Sequence, residues 1–163
     1  MTHASLAERI TFGRPAVPGR DTARDVVAPR PLTALISRIL LSGIFVASGV
    51  AKFLDLEATV GYMATQGVGS RAAAIVAAIA EIAGGLSLAF GFLTRIGALG
   101  LLLFLIPTTV IFHDFWAVAG DARLMQLTLF LKNLAIMGGL GLLIAYGPGR
   151  YSFDRWMREP RPV

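Results

Sequence analysis

The stretch from Ala72 to Thr94 constrains this chain most, because it is almost entirely apolar and yet contains a carboxylate, Glu81. It is long enough to cross a bilayer, since a spanning helix needs about 20 residues. A charge near the middle of a span costs roughly 2.5–3.5 kcal/mol, so it normally faces the interior of a bundle and finds a partner there. Small residues share or adjoin the face of Glu81, and in lipid they let a second backbone approach closely. They are Ala74, Ala77, Ala78, Gly84 and Gly85. Glu81 is therefore predicted to face a tight seam between helices.

Three further apolar stretches place the chain among integral membrane proteins. It is 55% hydrophobic and 15% charged, whereas soluble domains are about 25% charged. The predicted fold is all-α, a four-helix transmembrane bundle in the lipid bilayer. The absence of cysteine excludes disulfides, cysteine-ligated iron–sulfur clusters and covalently attached haem. One histidine within the membrane, His113, does not make a metal site, so none is predicted.

The pattern of charge and hydropathy divides the chain into three parts. We predict a disordered basic tail over residues 1–31, a four-span domain over 32–147 and a basic tail over 148–163. A short helix over 56–66, in the loop that connects the first two spans, is predicted to lie in the membrane interface. Arg and Lys concentrate in the two tails, with only Arg71 and Arg123 in the opposite loops. By the positive-inside rule both termini are predicted to be cytoplasmic. Because the net charge of +5 sits beside the spans, it indicates anionic lipid and no nucleic acid.

Ionisable residues of different spans are predicted to meet in the outer half of the bundle. Glu81 and Lys132 both enter from the outer side and reach nearly the same depth, at 1.5 Å per residue. Lys52 and His113 lie near the outer ends of their spans, and Asn133 follows Lys132. One interpretation is structural: Glu81 pairs with Lys52 or with Lys132, and the pair locks the helices. The other is functional: the surplus of cations favours an anionic or carbonyl-bearing ligand, a lipid headgroup, or a proton path.

The first span carries one polar stripe, which runs through Arg38, Ser42, Phe45, Gly49 and Lys52. Arg38 lies about two turns into the membrane on the cytoplasmic side. A long basic side chain at that depth is expected to snorkel to the interface or to bind lipid. The stripe predicts the face of the first span that packs against the rest of the bundle.

An ordered set of short pieces resembles the DoxX family of four-span bacterial membrane proteins. The pieces are Arg38 with SGVAKF (48–53), Glu81 with GGLSLAFGFLTR (84–95), FHDFW (112–116), LKN (131–133) and GPGRYSFD (147–154). The resemblance covers residues 32–154 and leaves only the tails outside. It implies a multi-pass protein of the bacterial inner membrane.

The resemblance also implies a function, as a subunit of a quinone-linked membrane oxidoreductase or of a redox-stress complex. Glu81 is then the candidate catalytic residue, which moves a proton or holds a quinol hydroxyl. The candidate binding residues are Arg38, Lys52, His113, Lys132 and Asn133. No cofactor motif is intrinsic to the chain, so quinone is the candidate cofactor and partner subunits supply the electron path. Whether the chain is itself an enzyme stays open. A scaffold or assembly factor without catalytic activity is the alternative, and a small transporter that functions as a homo-oligomer is a third.

Overall fold

The structure, a computed structural model, describes residues 31–158, and these contain six helices and no strand. The helices are α1 (Pro31–Leu54), α2 (Leu56–Thr65), α3 (Arg71–Phe90), α4 (Thr94–Phe112), α5 (Gly120–Tyr146) and α6 (Phe153–Trp156). Four of them, α1, α3, α4 and α5, are long and apolar enough to cross a membrane. The predicted all-α four-helix transmembrane bundle is confirmed. The disordered tail predicted for residues 1–31 lies outside the described residues, except for Pro31, which begins α1.

The helices α1 and α3 form the tight seam that the sequence predicted around Glu81. The polar stripe of α1 is buried at Arg38, Ser42, Phe45 and Gly49. The buried positions of α3 are Ala74, Ala78, Glu81, Gly85 and Leu88. A Cβ atom placed on Gly49 would lie 2.8 Å from the carbonyl oxygen of Ala78, and one on Gly85 would lie 3.2 Å from that of Ser42. The two backbones are therefore close enough that glycine is needed on both sides of the seam.

Away from the α1–α3 seam, the bundle packs through larger side chains. Its core joins all four spans, through Phe45, Leu88, Ala98, Leu101, Leu105 and Leu140. The clustered glycines of α5, Gly138, Gly139 and Gly141, do not form a second seam of this kind. A Cβ on Gly139 would meet the side chain of Leu41 at 3.4 Å, whereas Gly138 and Gly141 have nothing described within 4 Å. The reason is that α5 meets α1 through a leucine side chain and not through a backbone seam.

Large apolar side chains cover the outside of the bundle. Leu40 is 72% exposed, Val76 65%, Ile96 67% and Leu124 68%, one on each spanning helix. A water-soluble domain rarely presents so much contiguous apolar surface. This apolar surface is compatible with the hydrocarbon of a bilayer, because lipid tails are as apolar as these side chains.

The short helix α2 covers one end of the bundle, as predicted for residues 56–66. Asp55 caps it by accepting a hydrogen bond from the backbone N–H of Ala58. The ring of Tyr62 stacks on that of Phe112 in α4, with centroids 5.5 Å apart. The helix thus lies over the point where α1, α3 and α4 come together.

At the other end, the chain beyond α5 folds back on the bundle. The carboxylate of Asp154 accepts hydrogen bonds from the backbone N–H of Leu93 (2.7 Å), the backbone N–H of Thr94 (2.9 Å) and the Thr94 hydroxyl (2.9 Å). Gly91 turns the chain between α3 and α4 at φ 69°, and a Cβ there would lie 2.5 Å from that of Ser152. The described part of the predicted C-terminal tail, residues 148–158, is therefore docked on the α3–α4 turn.

Candidate functional site

A cavity of about 510 Å³ opens between the helices at the end covered by α2. All of the site residues predicted from the sequence line this membrane cavity, except Arg38. They are Lys52 from α1, Glu81 from α3, His113 at the end of α4, and Lys132 and Asn133 from α5. The depth argument placed these residues in one half of the bundle, and the packing of the helices brings them around one cavity.

Glu81 pairs with Lys52, which settles the choice of partner that the sequence left open. Lys52 Nζ lies 2.7 Å from Glu81 Oε2 and 2.7 Å from the Oγ of Ser48, one helical turn earlier. The Glu81 side chain is 7% exposed and that of Lys52 is 25% exposed. The ion pair therefore sits in the wall of the cavity, where its carboxylate is almost entirely removed from the surface.

Both members of this ion pair keep unused hydrogen-bonding capacity. An ammonium group has three N–H donors, of which Ser48 and Glu81 engage two. Glu81 Oε1 has no hydrogen-bond partner among the described residues, and it is not sealed from the cavity. An acceptor and a donor therefore lie side by side, available to a molecule in the cavity.

Two further polar side chains are held in place by neighbours. His113 Nδ1 lies 3.0 Å from the Oε1 of Gln126, a contact that orients the ring. Asn133 is buried, and its Nδ2 donates to the hydroxyl of Thr109 (3.0 Å), which itself donates to a backbone carbonyl one turn back in α4. These contacts fix the orientation of two polar side chains that α4 and α5 contribute to the cavity.

Lys132 is the unpaired cation of the membrane cavity. Within the described part of the chain it makes no hydrogen bond and no ion pair, and it is exposed. The charged lining then consists of two ammonium groups, Lys52 and Lys132, and one carboxylate, Glu81. This surplus of positive charge matches the imbalance seen in the sequence and favours a ligand with anionic or carbonyl oxygen. Among residues 31–158, no cluster of three or more His, Asp or Glu is arranged to hold a metal ion.

Most of the remaining lining is apolar or aromatic. It includes Ile44, Phe45, Val76, Phe104, Ile111, Phe112 and Ile136. The polar members of the site that were not predicted from the sequence include Ser48, Tyr62 and Gln126. The spacing of Ser48 four residues before Lys52 was a usable signal. Neither Tyr62 nor Gln126 had one, because each meets its partner only through tertiary packing.

Arg38 lies outside this cavity and does not snorkel, contrary to expectation. It is 1% exposed. Its guanidinium donates to the carbonyl oxygens of Pro148 (2.6 Å), Tyr151 (2.7 Å) and Ala89 (3.3 Å). The docked C-terminal segment closes over this side chain and supplies the acceptors that the interface would otherwise have supplied. Arg38 therefore joins α1 to the C-terminal segment that follows α5.

Comparison with known proteins places the chain among bacterial membrane proteins. The family model described as DoxX matches residues 33–114, which span α1 to the end of α4. The LKN and GPGRYSFD pieces lie beyond that match. The chain is 37% identical over 132 residues to inner membrane protein YphA of Escherichia coli (strain K12), covering 80% of this chain and 94% of YphA.

Two further relatives extend the comparison. Inner membrane protein YqjF of the same strain is 39% identical over 125 residues, covering 77% of this chain and 92% of YqjF. The membrane protein Rv3486 of Mycobacterium tuberculosis is 28% identical over 144 residues, covering 78% of this chain and 83% of Rv3486. No solved structure matches the chain.

Proposed function

The chain belongs to the DoxX family, and from that premise we propose that its membrane cavity binds the headgroup of a quinone or quinol as part of an inner-membrane oxidoreductase. The observation that carries the proposal is the Lys52–Glu81 pair, with a free carboxylate oxygen and a spare N–H at the cavity wall. A quinone carbonyl accepts such an N–H, and a quinol hydroxyl donates to such a carboxylate. The apolar lining suits the ring and the start of an isoprenoid tail.

The chemistry divides between this chain and a partner. Oxidation of a quinol to a quinone releases two electrons and two protons. With a quinol bound, Glu81 would accept the proton of one hydroxyl and His113 that of the other, while Lys52 and Lys132 would stabilise negative charge on the quinol oxygens. The electrons pass to a redox-active partner subunit, since the chain has no cysteine and its described residues supply no metal cluster.

The test is to purify the protein in mild detergent and to quantify the bound quinone by mass spectrometry. Glu81→Gln is expected to weaken quinol binding roughly tenfold or more, since a hydrogen bond to a charged group contributes about 1.5–3 kcal/mol. It is also expected to abolish proton uptake linked to the ligand. Bulk lipid alone in a folded wild-type protein would overturn the proposal.

A second candidate is a scaffold that binds no small molecule, and the same ion pair favours it. Lys52 and Glu81 join α1 to α3 beside the tight seam at Gly49, so the pair is well placed to lock these helices. The charge-swapped variant, Lys52→Glu with Glu81→Lys, separates the two candidates. If the ion pair only stabilises helix packing, the swapped variant matches the wild type in stability and in partner co-purification. Neither the wild type nor the swapped variant then contains quinone. If the cavity binds quinone, the wild type contains quinone and the swapped variant does not, although their stabilities are similar. The reason is that the hydrogen-bond acceptor and donor have exchanged positions.

We further propose that both termini of the chain lie on the cytoplasmic side of the inner membrane. Support comes from the excess of Arg in the two tails and at Arg95 over the opposite loops. The absence of cysteine allows a clean test in spheroplasts. A single cysteine in place of Ala117 is expected to react with a membrane-impermeant maleimide, and one in place of Met157 is expected to react only after lysis. The reverse pattern would reject this orientation.

A further inference from the structure

Four arginines surround a second cavity, of about 580 Å³, at the end of the bundle opposite the membrane cavity. This arginine cavity is lined by Arg95 of α4 and by Arg150, Arg155 and Arg158 of the docked C-terminal segment. Asp154 is the one carboxylate among its described lining residues. The cavity is thus strongly positive, and its charges come from two parts of the chain that are more than 50 residues apart.

The carboxylate of Asp154 is engaged by the start of α4, and among the arginines of the cavity Arg158 lies close enough to interact with its charge. Its two oxygens accept from the backbone N–H groups of Leu93 and Thr94 and from the Thr94 hydroxyl. Arg150 makes no hydrogen bond and no ion pair with any described residue. Even without Arg155, three arginines, Arg95, Arg150 and Arg158, line the cavity against one carboxylate, so the cavity keeps an excess of positive charge.

The arginine cavity lies at the ends of two spanning helices, the level at which lipid headgroups are expected. It is bounded by Leu93 and Ile96 at the start of one spanning helix and by Tyr146 at the end of another. The exposed aromatic side chains of Tyr151 and Trp156 stand at the same end of the bundle. Aromatic residues gather at the membrane interface because the ring suits the boundary between apolar and wet surroundings.

One wall of the arginine cavity continues into the lipid-facing surface. Ile96 and Tyr146 line the cavity and are exposed, 67% and 74% respectively. Exposed apolar side chains follow on the same helices, at Leu99 and Leu103 of α4 and at Leu142 of α5. A phosphate held by the arginines would therefore have hydrocarbon surface directly beside it. That geometry suits an anion with attached acyl chains better than a free anion.

We propose that the arginine cavity binds the phosphate of an anionic phospholipid, whose acyl chains run along the exposed apolar side chains of α4 and α5. Arg150 and Arg158 contact the phosphate from the C-terminal segment, and Arg95 contacts it from α4. Arginine matches this role because its planar fork pairs with phosphate oxygens in a bidentate manner. The lipid thereby holds the C-terminal segment against the α3–α4 turn. This site is independent of the quinone proposal.

The test is native mass spectrometry of the full chain in detergent, titrated with phosphatidylglycerol or with zwitterionic phosphatidylcholine. Wild-type protein is expected to bind phosphatidylglycerol in preference to phosphatidylcholine. The double variant Arg150→Gln with Arg158→Gln is expected to lose on the order of 30-fold in affinity for phosphatidylglycerol, since each interfacial basic residue contributes about 1 kcal/mol. The matched control removes two arginines from the opposite end, Arg71→Gln with Arg123→Gln, and is expected to change the affinity by less than about threefold.

Two further measurements keep the outcome decisive. Arg150→Lys with Arg158→Lys retains the charge and is expected to recover part of the lost affinity, which separates charge recognition from misfolding. Inorganic phosphate alone, in a thermal-shift assay, is expected to stabilise the protein less than phosphatidylglycerol does. Equal stabilisation by inorganic phosphate would replace the lipid site with a site for free phosphate. An equal loss in the control variant, or no preference of the wild type for the anionic lipid, would overturn the proposal.

Discussion

At the scale of the residue, the structure explains how the charged side chain of Arg38 is accommodated within a spanning helix. A guanidinium in the hydrocarbon region is costly unless its N–H groups are engaged. Arg38 engages three backbone carbonyls, two of them in the docked C-terminal segment at Pro148 and Tyr151. Its Nε is buried and has no partner among the described residues. The side chain thus joins α1 to the docked C-terminal segment through hydrogen bonds.

Replacement of Arg38 by Leu is therefore expected to destabilise the bundle by on the order of 3 kcal/mol. The physical reason is that the substitution leaves buried carbonyl groups without donors, at about 1–3 kcal/mol for each group left unpaired. Unfolding in mixed detergent, followed by circular dichroism, measures the change. Arg71→Leu is the control, because Arg71 forms an exposed ion pair with Glu57, and such pairs contribute about 0–1 kcal/mol. Equal loss in both variants would contradict the role of Arg38.

At the scale of the element, the packing of α1 on α3 depends on positions without side chains. The backbone of α1 at Gly49 approaches the carbonyl oxygen of Ala78 so closely that no Cβ fits. Gly43 lies on the same helix with nothing described within 4 Å. The two glycines thus provide a matched pair for measuring what the close approach contributes.

Gly49→Ala is expected to cost roughly 1–3 kcal/mol, because the new methyl group forces the two helices apart. Gly43→Ala is expected to be neutral or slightly stabilising, since alanine favours helix over glycine. Thermal denaturation of both variants in the same detergent compares them directly. Similar melting temperatures for the two variants would show that the α1–α3 seam adjusts without cost.

The sequence was informative about this seam and about the depth of the polar residues. Helical periodicity alone placed Ala78, Glu81 and Gly85 on one buried face, because α3 is a single long helix. It did not choose between Lys52 and Lys132 as the partner of Glu81, since depth was the only criterion and both satisfied it. It also did not find the partners of Arg38, because these are backbone carbonyls of a distant loop and carry no signature in residue type. What sequence reasoning lacked was the rotation of each helix about its axis and the path of the chain after α5.

At the scale of the whole molecule, the C-terminal segment makes the stability of the fold sensitive to acid. Burial favours the neutral form of Asp154, but the hydrogen bonds from Thr94 and Leu93, together with nearby Arg158, outweigh it and hold the pKa of Asp154 below the ordinary 3.8. A carboxylate whose pKa is lowered by folding stabilises the folded protein fully at a pH above the pKa of the unfolded chain. This stabilisation is lost as the pH falls through the pKa of the folded protein. The docking of residues 148–158 should therefore weaken only in strong acid.

We expect the melting temperature of the wild-type protein to fall between about pH 4 and pH 2 more steeply than that of Asp154→Asn. The variant should be less stable than the wild type at neutral pH, because an amide has only one oxygen to accept the hydrogen bonds at the start of α4. The two melting curves should converge in acid, where the wild-type carboxyl is also neutral. Parallel pH profiles would mean that Asp154 has no part in the acid sensitivity.

The contact between Arg38 and residues 148–151 also has a consequence for how the protein is synthesised and inserted. The ribosome releases the first span long before it makes Pro148 and Tyr151, so α1 must enter the bilayer while its guanidinium still lacks these acceptors. During that interval Arg38 has to be tolerated by water, by lipid phosphate or by the insertion machinery. Although α1 precedes the other described helices, its polar contacts are completed only after α5 has been made, and a ribosome that stalls within α5 leaves behind a product with an unsatisfied charge in the membrane.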